Sequence, residues 1–333
     1  MKEVYLLHSS TLIYSKKCNE IISLVNTYFV GPWLLISKVL AAALVNGHVL
    51  FEDHPGLGKT LLAKVFAKSI GAKYRRVQFT PDLLPSDILG TKVWRGIEGR
   101  FELVKGPIFT NILLADEINR APAKTQAALL EVMEERQVTI EGETFKMEEP
   151  FFVLATQNPI EYEGTYPLPE AQLDRFILKL STGYPRSINE EVEILKRRLS
   201  WRVDDPTAYI KPIISAQEFV DIQRYVENKI YIDDALLQYI ASLVRKVRES
   251  DHVEAGPSPR GGLALLKLSK AMALINGRNF VIPDDVKIFA VEALAHRIVL
   301  KPESVFEGVT PESIVKQAVD LVEVPKEWGK KAM

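Results

Sequence analysis

A glycine-rich segment at residues 53–60 places a strong constraint on the fold of this chain. The segment reads Asp-His-Pro-Gly-Leu-Gly-Lys-Thr and follows an apolar run at residues 49–51. Apolar side chains recur after it at helical spacing, namely at Leu61, Leu62, Val65 and Phe66. A strand, a glycine turn and a helix therefore follow one another directly. That order is typical of α/β proteins in which the strand belongs to a parallel sheet.

Short apolar runs recur along the first half of the chain, with helical patterns between them. They lie at residues 48–52, 76–79, 111–115, 151–155 and 176–180. This alternation predicts a parallel five-stranded sheet with helices on both faces. Residues 32–46 have the apolar pattern and length of a helix, with Pro32 at its first turn and Gly47 just past its end. We expect this helix to pack on the sheet.

The strand-like runs stop after Thr182, and the remaining sequence reads as capped amphipathic helices. Residues 183–189 combine Gly, Pro, Ser and Asn, which break both periodicities and mark a domain boundary. Helix starts beyond it are indicated by Ser215 with Glu218, Asp233, Pro283 and Pro311. We therefore predict an N-terminal extension at residues 1–25, an α/β domain at residues 26–184 and a smaller all-α lid domain at residues 185–333.

The glycine-rich segment has the features of a loop that binds phosphate. Gly56 and Gly58 allow backbone N–H groups to turn toward phosphate oxygens, and the helix that starts near Lys59 points its positive end at them. Lys59 would neutralise the outer phosphates, and Thr60 offers a hydroxyl to Mg²⁺. We therefore expect ATP and Mg²⁺ as cofactors, with nucleotide contacts from His54, Pro55, Gly56, Leu57, Gly58, Lys59, Thr60 and Leu61. An ordinary glycine turn is the alternative, and the preceding strand disfavours it.

Asp53 occupies the first position of this loop, where the pattern has glycine. Asp enters left-handed conformations more readily than most other non-glycine residues, but its charge would repel phosphate. We therefore expect the Asp53 side chain to point away from the nucleotide.

Polar residues follow two of the predicted buried strands. Asp116 and Glu117 end the run that begins at residue 111, at the carboxyl edge of the sheet, where ligands of open α/β sheets bind. Because successive strand residues point in opposite directions, we expect Asp116 to bind Mg²⁺ and Glu117 to orient the attacking water. Asn158 follows the next run and is placed to hydrogen-bond that water or the terminal phosphate. A turn residue before proline is the alternative for Asn158.

Several long phrases of the sequence resemble the MoxR family of AAA+ ATPases. They are FEDHPGLGKT at residues 51–60, FTPDLLPSDILG at 79–90, LADEINRAP at 114–122, ATQNP at 155–159 and QLDRF at 172–176. GPSPRG at residues 256–261 is similar to the family's motif in its helical domain, whereas residues 1–25 match nothing recognised. The resemblance implies a P-loop AAA+ ATPase core followed by a helical lid. It also implies a homo-hexameric ring in which ATP lies between neighbouring subunits.

The resemblance assigns roles to three residues. It implies that Asn158 is the first sensor, that Arg175 is the arginine finger reaching the neighbour's ATP, and that Arg260 is the second sensor on the lid. A planar guanidinium suits developing phosphate charge. Arg260 also lies near a predicted helix N-terminus, where a cation is unfavourable unless an anion is bound. A surface ion pair is the alternative for Arg175, and an ordinary helix-terminal arginine is the alternative for Arg260.

Two predicted hairpins interrupt the α/β pattern and bear on the choice of substrate. Residues 94–105 combine glycines with alternating apolar residues, and residues 137–149 do the same around Gly142. In AAA+ relatives such insertions face the pore of the ring. Their charges are mixed and the chain has a net charge of −1, whereas a hairpin that tracks DNA is usually basic. We therefore do not expect nucleic acid as a partner.

The resemblance leaves more than one function open. We favour ATP-driven, chaperone-like remodelling, assembly or activation of protein complexes, with von Willebrand factor A domain proteins as candidate partners. The alternatives are a nucleic-acid motor similar to MCM helicases or branch-migration ATPases, and a magnesium-chelatase-like ATPase subunit. The only cysteine is Cys18, and no apolar stretch reaches the roughly 20 residues needed to span a bilayer. We therefore expect a cytoplasmic, Mg²⁺-dependent ATPase without membrane insertion.

Overall fold

A central parallel sheet organises the chain. The computed structural model describes residues 2–96, 99–159, 165–203 and 205–326, with side chains described from residue 9 onward. Its strands are β1 Val49–Glu52, β2 Tyr74–Gln78, β3 Gly90–Arg95, β4 Arg100–Lys105, β5 Ile112–Asp116, β6 Gln137–Ile140, β7 Glu143–Lys146, β8 Phe152–Gln157, β9 Leu178–Leu180, β10 Val253–Ala255 and β11 Val299–Leu300. The order β2-β5-β8-β1-β9 forms a five-stranded sheet, and its neighbouring strands are parallel. The predicted sheet is confirmed.

Helices cover both faces of this sheet and also form the second domain. They are α1 Lys2–Tyr28, α2 Trp33–Leu44, α3 Lys59–Ser69, α4 Pro85–Leu89, α5 Ala123–Glu135, α6 Glu170–Leu173, α7 Ile188–Trp201, α8 Ala216–Lys229, α9 Asp234–Arg248, α10 Pro259–Ile275, α11 Pro283–Leu294, α12 Pro302–Phe306 and α13 Pro311–Leu321. Phe51 and Leu114 join the core that contains α2 and α3, whereas Leu50 and Leu113 join the core that contains α5. Strand side chains alternate between faces, so the sheet contributes to both cores. Among the helices described, none is long and apolar enough to cross a membrane.

Both predicted hairpins are present. β3 pairs with β4 and β6 pairs with β7, each antiparallel. The first hairpin starts at Gly90, earlier than the predicted residue 94. Gly90 has a φ of 100°, and a β-carbon there would lie 2.3 Å from the Val104 carbonyl oxygen, so only glycine allows the strands to close at this point. Residues 97 and 98, which fall within this prediction, lie outside the described part of the chain.

The second domain is helical as predicted, with one addition. α8 begins with the capping box of Ser215 and Glu218, and the Asp233 carboxylate caps α9. Pro283 and Pro311 occupy first-turn positions of α11 and α13. The addition is a two-stranded antiparallel ribbon of β10 and β11. These strands are too short to show an alternating pattern in the sequence.

The N-terminal residues form a helix that packs against both domains. α1 contacts α2 and α3 of the α/β domain and α10 of the lid. Its buried residues include Thr11, Ser15, Cys18, Ile21, Ile22 and Val25. The Ser15 hydroxyl and the Asn19 amide each donate a hydrogen bond of 2.9 Å to the Ile275 carbonyl at the end of α10. The helix continues through residue 25 to Tyr28, so the predicted extension is part of a helix that joins the two domains.

His48 is buried immediately before β1. Its Nδ1 accepts a hydrogen bond from the Val153 N–H at 3.0 Å, and its Nε2 lies 3.1 Å from the Met133 carbonyl oxygen. The carbonyl can only accept, so Nε2 carries the proton and the ring is neutral. Burial, reinforced by the positive charge of Arg136, lowers the pKa of His48 to about 3, while the Met133 carbonyl opposes this.

Lowering the pH from 7 to 5 should destabilise the protein. The folded pKa of His48 is depressed, so its contribution to stability is present above the unfolded pKa of about 6.5 and is lost as the pH falls toward 3. Between pH 7 and pH 5, His48 alone should lower the free energy of unfolding by about 2 kcal/mol. Urea unfolding at a series of pH values measures it.

A His48→Gln variant serves as the control, because glutamine keeps a side-chain acceptor and donor but does not titrate. Its free energy of unfolding should vary less steeply with pH than that of the unmodified chain. Equal slopes for the two proteins would contradict the assignment of this pH dependence to His48.

Candidate active site

The glycine-rich segment forms a loop between β1 and α3. Gly56 and Gly58 have φ angles of 84° and 80°, in the left-handed region that glycine enters without strain. A β-carbon at Gly58 would also lie 3.2 Å from the ring of Phe29. α3 begins at Lys59, immediately after Gly58. The first N–H groups of α3 have no partners within the helix and are therefore available to an anion at the loop.

The Asp53 carboxylate is bound to the segment after β9. One oxygen accepts a hydrogen bond from the Ser181 hydroxyl at 2.6 Å. The other accepts from the N–H and the hydroxyl of Thr182 at 2.7 and 2.9 Å. These bonds satisfy the carboxylate and fix the start of the loop to the end of a neighbouring strand. The carboxylate is bonded toward β9 as predicted, but Asp53 still lines the phosphate cavity, and one of its oxygens lies 4.0 Å from Nζ of Lys59.

Lys59 is buried beside three carboxylates. Its Nζ donates a hydrogen bond to the His54 carbonyl at 2.8 Å and lies 4.0 Å from an oxygen of Asp53. Burial lowers the pKa of Lys59, whereas the charges of Asp53, Asp116 and Glu117 oppose that shift. The ammonium is thus held inside the loop, where it can neutralise a bound phosphate.

Asp116 is the last residue of β5 and has a different partner on each oxygen. The Thr156 hydroxyl donates to Oδ1 at 2.6 Å. The Arg76 guanidinium donates to Oδ2 through Nε at 3.0 Å and through a terminal nitrogen at 2.6 Å. The carboxylate is therefore fixed by side chains from the two strands that flank β5.

Glu117 follows Asp116 in a left-handed backbone conformation, with a φ of 56°. This region is uncommon for residues other than glycine, and such strain is often found at functional sites. The Glu117 N–H donates to the Thr156 hydroxyl at 2.8 Å. Its carboxylate accepts from the Gln78 amide at 2.6 Å and from Arg120 at 3.0 Å. The backbone turn thus directs Glu117 toward β2.

One cavity of about 210 Å³ brings the predicted metal residues and most of the predicted phosphate loop together with Asn158, the predicted first sensor. Its lining includes Pro55, Gly56, Leu57, Gly58, Lys59, Thr60, Asp116, Glu117, Thr156 and Asn158. Asn158 follows β8 and is buried. The loop, β5 and β8 all meet at the carboxyl edge of the parallel sheet, where this class of fold binds its ligands.

A larger cavity of about 540 Å³ adjoins the loop. It shares Gly56, Leu57 and Gly58 with the first cavity, and its apolar lining includes Phe29, Leu61, Ile194 and Trp201. The rings of Tyr28 and Trp201 stack at 5.7 Å, and the His54 ring lies 5.7 Å from that of Tyr184. Aromatic and aliphatic walls of this kind suit a planar base. The predicted nucleotide contacts from Pro55 to Leu61 are therefore divided between two adjoining cavities, whereas His54 lines neither of them.

Arg175 and Arg260 line neither of these cavities. They meet in a third cavity of about 250 Å³, together with Asn46, Gly47 and Glu134. Asn46 and Gly47 precede β1, whereas the phosphate loop follows it. The third cavity therefore lies at the amino edge of the sheet. The structure brings the two arginines to each other and separates them from the phosphate loop of their own chain.

Comparisons with known proteins agree with this geometry. Residues 48–178 match the family described as ATPase family associated with various cellular activities (AAA), and residues 245–318 match the AAA lid domain. The chaperone MoxR1 of Mycobacterium tuberculosis is 42% identical over 91% of this chain and 81% of its own length. The chain belongs to the MoxR family of AAA+ ATPases. The family supports an ATPase activity and the binding of ATP.

Two further proteins are similar over nearly the whole length of this MoxR-family chain. YeaC, an uncharacterized protein of Bacillus subtilis, is 49% identical over 90% of this chain and 92% of its own. A solved crystal structure of a candidate ATPase from Cytophaga hutchinsonii superposes with a TM-score of 0.90 and 40% identity, covering 98% of this chain and all of that one. The AAA+ core with a helical lid is thereby confirmed.

Sequence reasoning missed the side chains that hold the carboxylates of this MoxR-family site, among them Arg76, Gln78 and Thr156. Arg76 and Gln78 lie on β2, which pairs with β5 so that Gln78 lies beside Asp116. Their separation by Val77 gives a polar, apolar, polar alternation that could have indicated a shared face. Thr156 is the first polar residue within an otherwise apolar strand, but no pattern in the sequence shows that its hydroxyl meets both carboxylate-bearing residues.

A Thr156→Val variant should hydrolyse ATP about tenfold more slowly, as expected for the loss of a hydrogen bond to a charged group. Valine keeps the shape of threonine but removes both the donor to Asp116 and the acceptor for the Glu117 N–H. Steady-state ATPase assays measure the change. Thr139→Val, on the distant β6–β7 hairpin, is the matched control. Equal turnover in the two variants would show that the Thr156 hydroxyl does not organise the site.

Proposed function

We propose that this MoxR-family protein hydrolyses ATP with Mg²⁺ at a site completed by a neighbouring copy within a homo-hexameric ring. Turnover would drive chaperone-like remodelling, assembly or activation of partner protein complexes. The proposal rests on one observation. The phosphate cavity lies at the carboxyl edge of the sheet, whereas Arg175 and Arg260 lie at its amino edge. A single copy has both halves of an ATPase site, but on different surfaces.

The separation supports a head-to-tail arrangement of subunits. β1 has four residues, so the strand alone spans about 13 Å between the two edges of the sheet. If the arginine-bearing surface of one copy meets the phosphate-loop surface of the next, the contact joins two unlike surfaces. Repeated contacts of that type close into a ring when the rotation between subunits allows it. In such a ring, each Arg175 and Arg260 serves the neighbour's nucleotide.

The side chains of one subunit would divide the work of hydrolysis. The loop N–H groups and Lys59 bind the phosphates, and Glu117 orients the attacking water and accepts its proton. Asn158, buried at the end of β8, donates a hydrogen bond to that water or to the terminal phosphate. Arg175 of the neighbouring copy stabilises the charge that develops on the transferred phosphoryl group.

Mg²⁺ fits the oxygen atoms that the first cavity supplies. Thr60 and Asp116 both line it, and hydroxyl and carboxylate oxygens are the ligands that this hard cation prefers. Mg²⁺ would neutralise charge on the outer phosphates. The ion pair between Asp116 and Arg76 fixes the position of the carboxylate, and both residues line the same cavity. We assign Thr60 and Asp116 as the residues that hold the metal.

A Glu117→Gln variant should bind ATP as well as the unmodified chain but turn it over at least about 100-fold more slowly, because glutamine cannot accept the water's proton. A fluorescent ATP analogue measures binding, and phosphate release measures turnover. Glu143→Gln, on the β6–β7 hairpin, controls for the loss of one negative charge. Undiminished turnover in Glu117→Gln would refute its role as the base.

Mixtures of two inactive variants should recover activity. Arg175→Ala subunits keep the phosphate loop and should lose about 10³-fold or more in turnover, as is typical for loss of an arginine finger. Lys59→Ala subunits lose the lysine of the phosphate loop but can still donate Arg175. In randomly mixed rings about a quarter of the interfaces join an intact loop to an intact Arg175. Titration of one variant into the other follows the recovery, and activity no higher than either parent would count against a shared site.

The β3–β4 hairpin supports a protein client. Trp94 and Phe101 are 55% and 65% exposed, and their rings lie 5.0 Å apart across the two strands. Exposed apolar groups of this kind mark surfaces that bind other proteins. The neighbouring Arg95 is paired with Glu102 at 2.7 Å, so this side of the hairpin offers little net positive charge to a phosphate backbone. Proteins with von Willebrand factor A domains are the partners that we propose first.

The client class can be tested with Glu117→Gln as bait in a lysate of its own cells. In the presence of ATP, this variant should retain protein complexes that a Lys59→Ala bait does not retain. ATP-dependent recovery of DNA or RNA would instead favour a nucleic-acid motor.

We place the proposed ATPase activity in the cytoplasm, where the buried, unpaired Cys18 would remain reduced.

A further inference from the structure

The two arginines at the amino edge of the sheet belong to a cluster of charged residues. We call Glu134, Asp174, Arg175, Arg260 and Arg297 the arginine cluster. Glu134 lies on α5, Asp174 and Arg175 follow α6, Arg260 is in the first turn of α10, and Arg297 follows α11. The α/β domain and the lid therefore both contribute to it. Three cations and two carboxylates leave a formal charge of +1, which favours the approach of an anion.

Arg297 anchors the main chain on both sides of Arg175. Its side chain is only 3% exposed, and its Nε donates to the Asp174 carboxylate at 2.6 Å. A terminal nitrogen donates to the carbonyls of Asp174 and Phe176 at 3.0 and 2.7 Å. Burial lowers the pKa of Arg297, while the Asp174 carboxylate opposes that shift. The lid thus holds the backbone from which Arg175 projects.

Asp174 links the same anchor to the helix that carries Arg260. The Ser258 hydroxyl donates to both oxygens of Asp174, at 3.2 and 2.9 Å. Ser258 is also the N-cap of α10, because its hydroxyl accepts from the Arg260 N–H at 3.1 Å. One carboxylate therefore fixes the main chain near both arginines. Asp174 also approaches one of the guanidinium groups, since Nε of Arg260 lies 3.9 Å from its carboxylate. The guanidinium groups of Arg175 and Arg260 are more exposed than that of Arg297 and need a closer constraint.

Glu134 supplies that constraint. One of its oxygens lies 2.8 Å from Nε of Arg175, and the other accepts a hydrogen bond from a terminal nitrogen of Arg260. A single carboxylate thus bridges two cations that would otherwise repel each other. Among the described residues, the contact made by Arg175 is through Nε. The two terminal nitrogens of Arg175 form a planar fork, which is suited to bidentate recognition of phosphate.

We propose that Glu134 is a positioning residue that presents Arg175 and Arg260 as one unit to the phosphate of a neighbouring copy. This inference rests on the shared site proposed above. Glu134 contacts Nε of Arg175 and a terminal nitrogen of Arg260. The anion binds the remaining N–H groups of the two guanidinium groups. The alternative is a surface ion pair, which would affect stability slightly and turnover not at all.

The test uses rings in which Glu134 is changed only in the subunit that donates the arginines. Arg175→Ala subunits supply the intact phosphate loops. They are mixed with one of four donors: Lys59→Ala alone, or Lys59→Ala combined with Glu134→Gln, Glu134→Asp or Glu131→Gln. Glu131 is an exposed residue one turn earlier on α5 and is the matched control. ATPase activity, nucleotide affinity of the intact loops and the incorporation of each donor into rings are measured together.

The Glu134→Gln donor should restore about tenfold less activity than the Glu131→Gln donor, because a catalytic group displaced by about 1 Å can lose up to about 10²-fold in rate. Nucleotide affinity of the loops, the thermal unfolding temperature and ring incorporation should be unchanged. A Glu134→Asp donor keeps the carboxylate and should recover part of the activity. A structural ion pair would not produce this pattern.

Each other outcome overturns the inference. Equal rescue by the Glu134→Gln and Glu131→Gln donors would remove the positioning role and leave the shared site intact. Loss of rescue with a matching loss of incorporation would assign Glu134 to assembly instead. If the Lys59→Ala donor itself gives no rescue while it enters rings, the shared site fails and Glu134 has no role in a neighbour's site.

Discussion

The parallel pairing of β1 with β8 on one side and β9 on the other determines where every functional group lies. All strands of the central sheet run in the same direction, so whatever follows a strand lies at one edge and whatever precedes it lies at the other. The phosphate loop, Asp116 and Asn158 follow strands. Gly47 and Arg175 precede them. Strand direction alone thus separates the groups that we propose to bind phosphate from the arginine that we propose to complete the site of a neighbouring copy.

Carboxylates at the two edges of the sheet are each held by a neighbouring residue. Asp53 is fixed by Thr182, Asp116 by Thr156, and Asp174 by Arg297. Buried charges without partners are costly, so these contacts are needed for folding as well as for function. They also mean that the site does not have to reorganise much when charge develops during hydrolysis, which is how electrostatic catalysis is most effective. Folding and catalysis therefore depend on the same hydrogen bonds.

The sequence allowed the sheet, the loop, the hairpins and the lid to be predicted because each depends on a local pattern. The loop residues and Asp116, Glu117 and Asn158 could be named because a strand end and a glycine turn are visible in a few consecutive letters. The contacts made by Thr156 and Glu134 could not, since they join residues far apart in the chain. The N-terminal helix was also missed as part of the core, because its buried face pairs with helices from both domains. Only the tertiary structure shows which residues meet.

The packing of α1 has a consequence for communication between subunits. α1 lies against α3, which begins at the phosphate loop, and against α10, which begins next to Arg260. Close-packed helices shift as units rather than deform, so a displacement of α3 has to be taken up by α1 and α10 together. The helix that begins at the phosphate loop is thus linked by α1 alone to the helix that carries Arg260. In the ring that we propose, this packing would let a change at one nucleotide reach the next subunit without any change in the sheet.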